Sequence, residues 1–239
     1  MTIDFTKIKQ FTDKLQDISG YGTEDFSIFL YSIIKMRKPK NIVELGTGLG
    51  STMLWSAIAC KENGFGQITT IDNGIHWNER VQRDEFIVEK DYNIFINNII
   101  NDNKIQEFVK FKNEDIDTKT INNNTNIDIL FIDFNHSPVT IKNIMSSAMS
   151  RMSKESIIFF DSASTYLPSY LFLESIVDSF NKKRIPNDFN LDEKAKNFIL
   201  NSRFTLTHLI EKKNRSQNST AMIEIKPENS FPNSDYIRF

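Results

Sequence analysis

Glu44, Gly46, Gly48 and Gly50 stand at alternate positions in Glu44-Leu45-Gly46-Thr47-Gly48-Leu49-Gly50-Ser51. A carboxylate can hold a cationic or hydroxyl-bearing group. Glycines permit positive φ and let a ligand lie against the backbone. The helix-compatible stretch Met53 to Cys60 follows at once, and its start offers unpaired N–H groups to polar or anionic atoms. A dinucleotide fingerprint is excluded, because its third glycine would fall at Ser51. Asp72 ends the run Gln67 to Ile71, about 20 residues past the glycines, where a nucleotide-binding unit carries the acid that meets ribose hydroxyls. It also opens an Asp-Asn-Gly turn, and the two roles are compatible. His136, just past another apolar run, is the candidate general base, since an unperturbed imidazole titrates at about 6.5.

These residues need strands to carry them. Asn41 to Leu45, Gln67 to Asp72 and Phe108 to Lys112 are short runs, the last ending before Asn113-Glu114-Asp115. Ile127 to Asp133 is almost continuously β-branched and aromatic, as a strand covered on both faces should be. Ser156 to Phe160 is a fifth run, closing on Asp161-Ser162. Helices are expected after the glycine turn, from about Glu79 to Asn101, from Pro138 to about Met152, from Leu167 to Phe180 and from about Leu191 to Asn201, with His76 and Trp77 in a loop. Phe204 to Ile210 and Thr220 to Ile225, joined by the polar tip Glu211 to Ser219, read as an antiparallel hairpin. Ile8, Phe11, Leu15 and Ile18, then Phe26, Phe29, Leu30, Ile33 and Ile34, predict two leading helices separated at Gly20-Tyr21-Gly22-Thr23. Glu44, Gly46, Asp72, Asp115, Asp133 and Asp161 thus fall at the carboxyl ends of expected parallel strands, the edge where open α/β sheets bind ligands.

The Glu-x-Gly-x-Gly-x-Gly pattern resembles motif I of the class I S-adenosylmethionine (SAM) methyltransferases, and five βα-type strands followed by a hairpin is the order of that fold. The resemblance covers about Asn41 to Ile225. It implies an α/β, Rossmann-like class I methyltransferase fold: a mostly parallel seven-stranded sheet with an antiparallel C-terminal hairpin and helices on both faces. One domain over residues 1–239 is expected, with 1–40 a helical addition and 41–226 the SAM-binding core. The resemblance also implies SAM as cofactor. Gly46, Thr47, Gly48, Gly50 and Ser51 would then line it, with Glu44 toward the methionine end and Asp72 at the ribose. Asp115, or its neighbour Glu114, would meet the adenine amino group, and Asp133 would complete the lining.

Leu130 to Ser137 is similar to the strand-four signature of small-molecule O-methyltransferases, a branch that includes macrolide-sugar and other natural-product enzymes. Members often read Ile-Asp-Gly-Asp-His-Ser there and carry an acidic pair after strand five. In the metal-dependent members these acids hold a divalent cation, which lowers the pKa of the acceptor hydroxyl. This chain keeps Asp133 and Asp161, while Asn135 and Ser162 replace further ligands. Mg²⁺ on Asp133 and Asp161 and a metal-free site with His136 as base therefore both stand as readings, with the two acids expected to face one another. The implied acceptor is a hydroxylated small molecule, such as a sugar or glycan precursor. A methyltransferase acting on protein or nucleic acid is one alternative. The base-modifying Asn/Asp-Pro-Pro-aromatic turn is missing from Asp133-Phe134-Asn135-His136. A non-catalytic binding module is the other.

Composition narrows the classes further. At 239 residues there is length for a full core, and 39% hydrophobic with 25% charged content is globular. A net charge of -2 argues against a nucleic-acid partner. No apolar run reaches the about 20 residues that span a bilayer, and Met1 to Gln10 alternates charged and apolar residues, so a cytoplasmic setting is expected. The single cysteine, Cys60, cannot form an internal disulfide and reads as a core residue.

Overall fold

The structure is a computed structural model and describes residues 24–80, 89–117, 126–210 and 219–230, with Thr6 and Ile121. Strands β1 (Asn41–Leu45), β2 (Gln67–Asp72), β3 (Val109–Asn113), β4 (Ile127–Ile132), β5 (Met152–Phe160), β6 (Ser202–Ile210) and β7 (Ser219–Pro227) form one sheet. Its order is β3-β2-β1-β4-β5-β7-β6. The order reverses between β1 and β4, the switch point at which such sheets open a ligand crevice. β1 pairs parallel to β2, and β2 parallel to β3, whereas β7 runs antiparallel to both β5 and β6. The expected mostly parallel sheet with an antiparallel C-terminal end is what forms.

The described residues fall into two compact units. One comprises those up to Ile116 together with Leu130–Phe134; the other comprises those within Asp117–Ile129, Asn135–Asn214 and Ser219 onward. In the first, α1 (Glu24–Arg37) lies on α2 (Ser51–Asn63), with Tyr31 edge-on to Trp55 at 5.6 Å. Phe26 of α1 packs on Phe131 of β4 at 4.9 Å. α2 is buried around its circumference, every residue from Met53 to Cys60 being enclosed and all but Ser56 apolar, as suits a helix in a core. Cys60 is part of that core, and burial pushes its thiol up to about 12. Register sets Asp72 opposite Asn113 and Leu45 opposite Ile71, so these strands end level with one another.

The long helix expected over Glu79 to Asn101 does not form as one element. α3 (Ile75–Arg80) and α4 (Tyr92–Asp102) are separate, and residues 89–91 are not helical. Asp91 is the cause at the second start: its carboxylate accepts the Ile94 N–H at 3.0 Å, satisfying a donor that a continuous helix would have bonded internally. His76 and Trp77 lie in the short helix α3 and not in a loop.

In the second unit, α5 (Pro138–Ala148) stops short of Met152, because β5 already begins there. α6 (Leu167–Asn181) and α7 (Glu193–Leu200) follow, the latter capped by Asp192. Phe180 of α6 is buried against Phe189 and Phe204 at 5.6 and 5.3 Å. The expected first helix over Ile8 to Ile18, Tyr21, the hairpin tip and the chain after Ser230 lie outside the described residues.

Candidate functional site

β1 delivers the glycine turn to the sheet edge. The Leu45 carbonyl accepts the Asp133 N–H at 2.8 Å, and the Gly46 N–H reaches the Ile71 carbonyl at 2.9 Å. Gly46 sits at φ 102°, and a Cβ there would overlap the Asp133 carbonyl. Its missing side chain therefore makes room for the chain leaving β4. Gly50 donates to the Thr47 carbonyl at 2.8 Å and enters α2 at φ 79°, a left-handed conformation suited to glycine. No side chain caps this helix and no acid occupies its first turn, so its leading N–H groups keep their positive end for a ligand. The Ser51 hydroxyl lies 3.3 Å from the Ser27 hydroxyl of α1.

Glu44 is 1% exposed. Its Oε2 accepts the Thr70 hydroxyl, whose oxygen lies 2.6 Å from the Thr47 hydroxyl of the glycine turn. Its Oε1 is buried and has no hydrogen-bond partner among the described residues. Burial raises the carboxyl to about 8, against the lowering effect of the Thr70 hydroxyl and with a further push from the Asp72 charge.

Asp72 fastens two turns together. Its Oδ1 accepts the Gly74 N–H at 2.8 Å and its Oδ2 the Gly48 N–H at 3.0 Å. The Asp-Asn-Gly turn is thus real, and the same carboxylate reaches the glycine turn. Asn73 donates to Asp115 Oδ1 at 2.8 Å, while Glu114 bends back to Lys112 at 3.3 Å. Asp115 is therefore the acid tied to the end of β2. Tyr92 donates its hydroxyl to the Gly48 carbonyl at 2.9 Å, and its ring stands beside Trp77 at 5.4 Å. Trp77 is buried and also packs on Phe95 at 4.3 Å, so it anchors its own segment. Thr70, Asn73 and Tyr92 were not among the residues expected. A threonine inside a strand and an aromatic after a helix cap are too ordinary to stand out.

Asp133, just past β4, is exposed in this first unit. The remaining expected residues belong to the second. Asn135 Oδ1 accepts the Ser137 N–H at 2.9 Å, and Ser137 caps α5. Between them His136 is exposed, its carbonyl accepting the Ser169 hydroxyl and its ring edge-on to Tyr166 at 6.1 Å. Ser162, at φ 56°, donates to Asp161 Oδ2 at 2.6 Å. His208 is bound into the sheet, with Nδ1 2.7 Å from the Ser164 hydroxyl, Nε2 3.3 Å from Glu174 and Tyr170 stacked at 4.1 Å. Among the described residues no three or more His, Cys, Asp and Glu side chains cluster as a metal cage. The Asn135 amide oxygen serves its own turn. Asp133 belongs to the first compact unit and Asp161 to the second. Among the described residues no helix is long and apolar enough to cross a membrane.

A family model described as a methyltransferase domain matches residues 43–163. No curated protein matches the chain. Among solved structures the fold is similar to the O-methyltransferase TomG from Streptomyces achromogenes, involved in tomaymycin synthesis and solved with SAM. That match has a TM-score of 0.54 and 14% identity, over 92% of this chain and 88% of that one. It is also similar to an O-methyltransferase from Bacillus cereus solved with S-adenosylhomocysteine (SAH): TM-score 0.55, 14% identity, 92% and 91% coverage. The SAH-bound methyltransferase PaMTH1 from Podospora anserina matches with a TM-score of 0.57 at 10% identity, over 93% and 88%.

Proposed function

From the premise that this chain belongs to the methyltransferase-domain family, we propose that it transfers the methyl group of SAM to a hydroxyl of a small molecule, such as a sugar or glycan precursor. The observation that carries this reading is the glycine turn linked through Thr47 and Thr70 to a buried carboxyl, Glu44, whose Oε1 has no hydrogen-bond partner among the described residues. The SAM and SAH bound in the TomG and Bacillus structures support the choice of cofactor.

In this reading the turn Gly46–Gly50 receives the methionine and ribose portions, with Thr47 and Ser51 at its edges. Glu44 serves the methionine end. Asp72, already aligned by Gly48 and Gly74, accepts from the ribose hydroxyls, and Asp115 meets the adenine amino group. Asp133 lies at the transfer end. SAM carries its own activated leaving group, so the chain's task is to align the acceptor and take its proton. His136 is assigned as that base, held through its carbonyl by Ser169. Asp133 and Asp161 would hold Mg²⁺ where a cation is used, and it would lower the pKa of the acceptor hydroxyl.

Calorimetry of SAH binding to the wild type and to Gly48→Val is the test. A valine there places methyl groups on the backbone the cofactor must approach. Affinity should be lost in the folded variant, and unchanged affinity would remove the site from the glycine turn.

A further inference from the structure

A buried acid with one oxygen satisfied and the other orphaned is an unusual arrangement in a folded core. Glu44 is one. Its Oε2 takes the Thr70 hydroxyl, and Thr70 is in turn 2.6 Å from the Thr47 hydroxyl, which leaves Thr47 as donor in that pair and the chain running from the glycine turn into the carboxyl. Three side chains buried to within a few per cent of full enclosure make up this relay. Among the described residues the charged neighbour acting on Glu44 is Asp72, of the same sign, across on β2. Leu130, Phe131 and Ile132 of β4, the strand beside β1 in the sheet, are buried and apolar. An ionised carboxylate here would be deprived of both water and counter-charge.

We propose that Glu44 is a neutral, protonated carboxyl in the ligand-free protein and surrenders that proton to solvent when the ammonium group of an amino-acid-bearing ligand binds at Oε1, with Thr70 and Thr47 positioning it. This rests on the cofactor reading above and adds a proton exchange to it. The balance is simple: the neutral acid and the ammonium ligand give a carboxylate–ammonium pair and one released proton, with no bond to carbon made or broken. Burial of the carboxyl, which raises it to about 8, sets the upper edge of the effect.

The test is calorimetric titration of the full chain with SAH at pH 6 to 7.5, in pairs of buffers with different protonation enthalpies. About one proton should be released per SAH bound, and affinity should rise about tenfold per pH unit across that window. 5′-Methylthioadenosine keeps the nucleoside and sulfur but lacks the amino-acid end, and it should bind without proton release. Glu44→Gln should release none and show flat affinity. Thr70→Val removes a donor that favours the ionised form and should extend the release to higher pH. SAH binding without proton release, release with methylthioadenosine, or release retained in Glu44→Gln would each overturn the inference while leaving the cofactor assignment intact. Failure of SAH to bind at any pH would instead defeat the proposed function.

Discussion

Single residues in this site carry more than one task, and substitutions separate the tasks. Asp72 holds Gly48 and Gly74 and is also assigned to the ribose. Removing its charge-assisted hydrogen bonds should cost about 1.5–3 kcal/mol of SAH binding, roughly one to two decades. Asp72→Ala that folds and keeps wild-type affinity would leave it a turn residue alone. Glu44 makes a separate demand on stability. It holds its proton in the fold up to about 8, against about 4.3 in an unfolded chain. The folded state therefore binds the extra proton, and the resulting stabilisation is complete below the unfolded value and vanishes as pH rises through the folded one. The ligand-free protein should lose melting temperature from pH 5 to pH 8, with a slope of at most about 1.4 kcal/mol per unit. Glu44→Gln should flatten that slope; an equally steep decline in the variant would assign it elsewhere. Once an acceptor is found, His136→Ala and EDTA divide the proton chemistry between base and cation. A steep loss in the variant with indifference to EDTA is expected for a metal-free site, and loss with EDTA reversed by Mg²⁺ returns the role to Asp133 and Asp161.

At the scale of elements, the reading succeeded where one physical signal dominated. The central strands were visible because burial on both faces demands near-continuous apolar runs, as in Ile127–Ile132, whereas β6 of the hairpin was visible from its alternation of apolar and polar residues. The glycine turn and the Asp-Asn-Gly turn at Asp72 were visible because a turn restricts residue type. Failures came where a local polar bond competes with helical periodicity. Asp91 caps α4 and ends the continuity expected over Glu79 to Asn101. Long-range partners such as Thr70 and Tyr92 were hidden altogether, because pairing depends on strand register and not on sequence spacing. Asp91→Ala should remove the α4 cap at a cost of about 0.5–2 kcal/mol in stability. Tyr92→Phe acts differently: the ring packing on Trp77 and Phe111 persists, and the bond to the Gly48 carbonyl goes. Denaturant melts should show a loss of about 0.5–1.5 kcal/mol, and SAH affinity should weaken with it. Full affinity in Tyr92→Phe would show that the Gly48 carbonyl needs no such anchor.

Across the whole molecule, the residues proposed to meet the cofactor, Glu44, Gly46, Gly48, Gly50, Asp72 and Asp115, all fall within the first compact unit, as does Asp133, whereas His136 and Asp161 belong to the second. Ligand stabilisation should therefore be written first into particular strand ends. A ligand that binds only the folded chain stabilises it by about 2.7 kcal/mol at a hundredfold excess over its dissociation constant. For a chain of this length that corresponds to about 5–10 °C in melting temperature. Hydrogen exchange locates the effect. With SAH, protection should rise at the amides of Gly46 to Ser51 and Asp72 to Gly74, and at the start of α4, where Tyr92 holds the Gly48 carbonyl. The antiparallel strands β6 and β7 carry none of the assigned contacts and should exchange as before. Gly48→Val should abolish both the melting shift and the protection pattern while its own ligand-free melt remains cooperative. Protection confined to β5, β6 and β7, or a melting shift that survives Gly48→Val, would move the cofactor away from β1 and with it the roles given to Glu44 and Asp72.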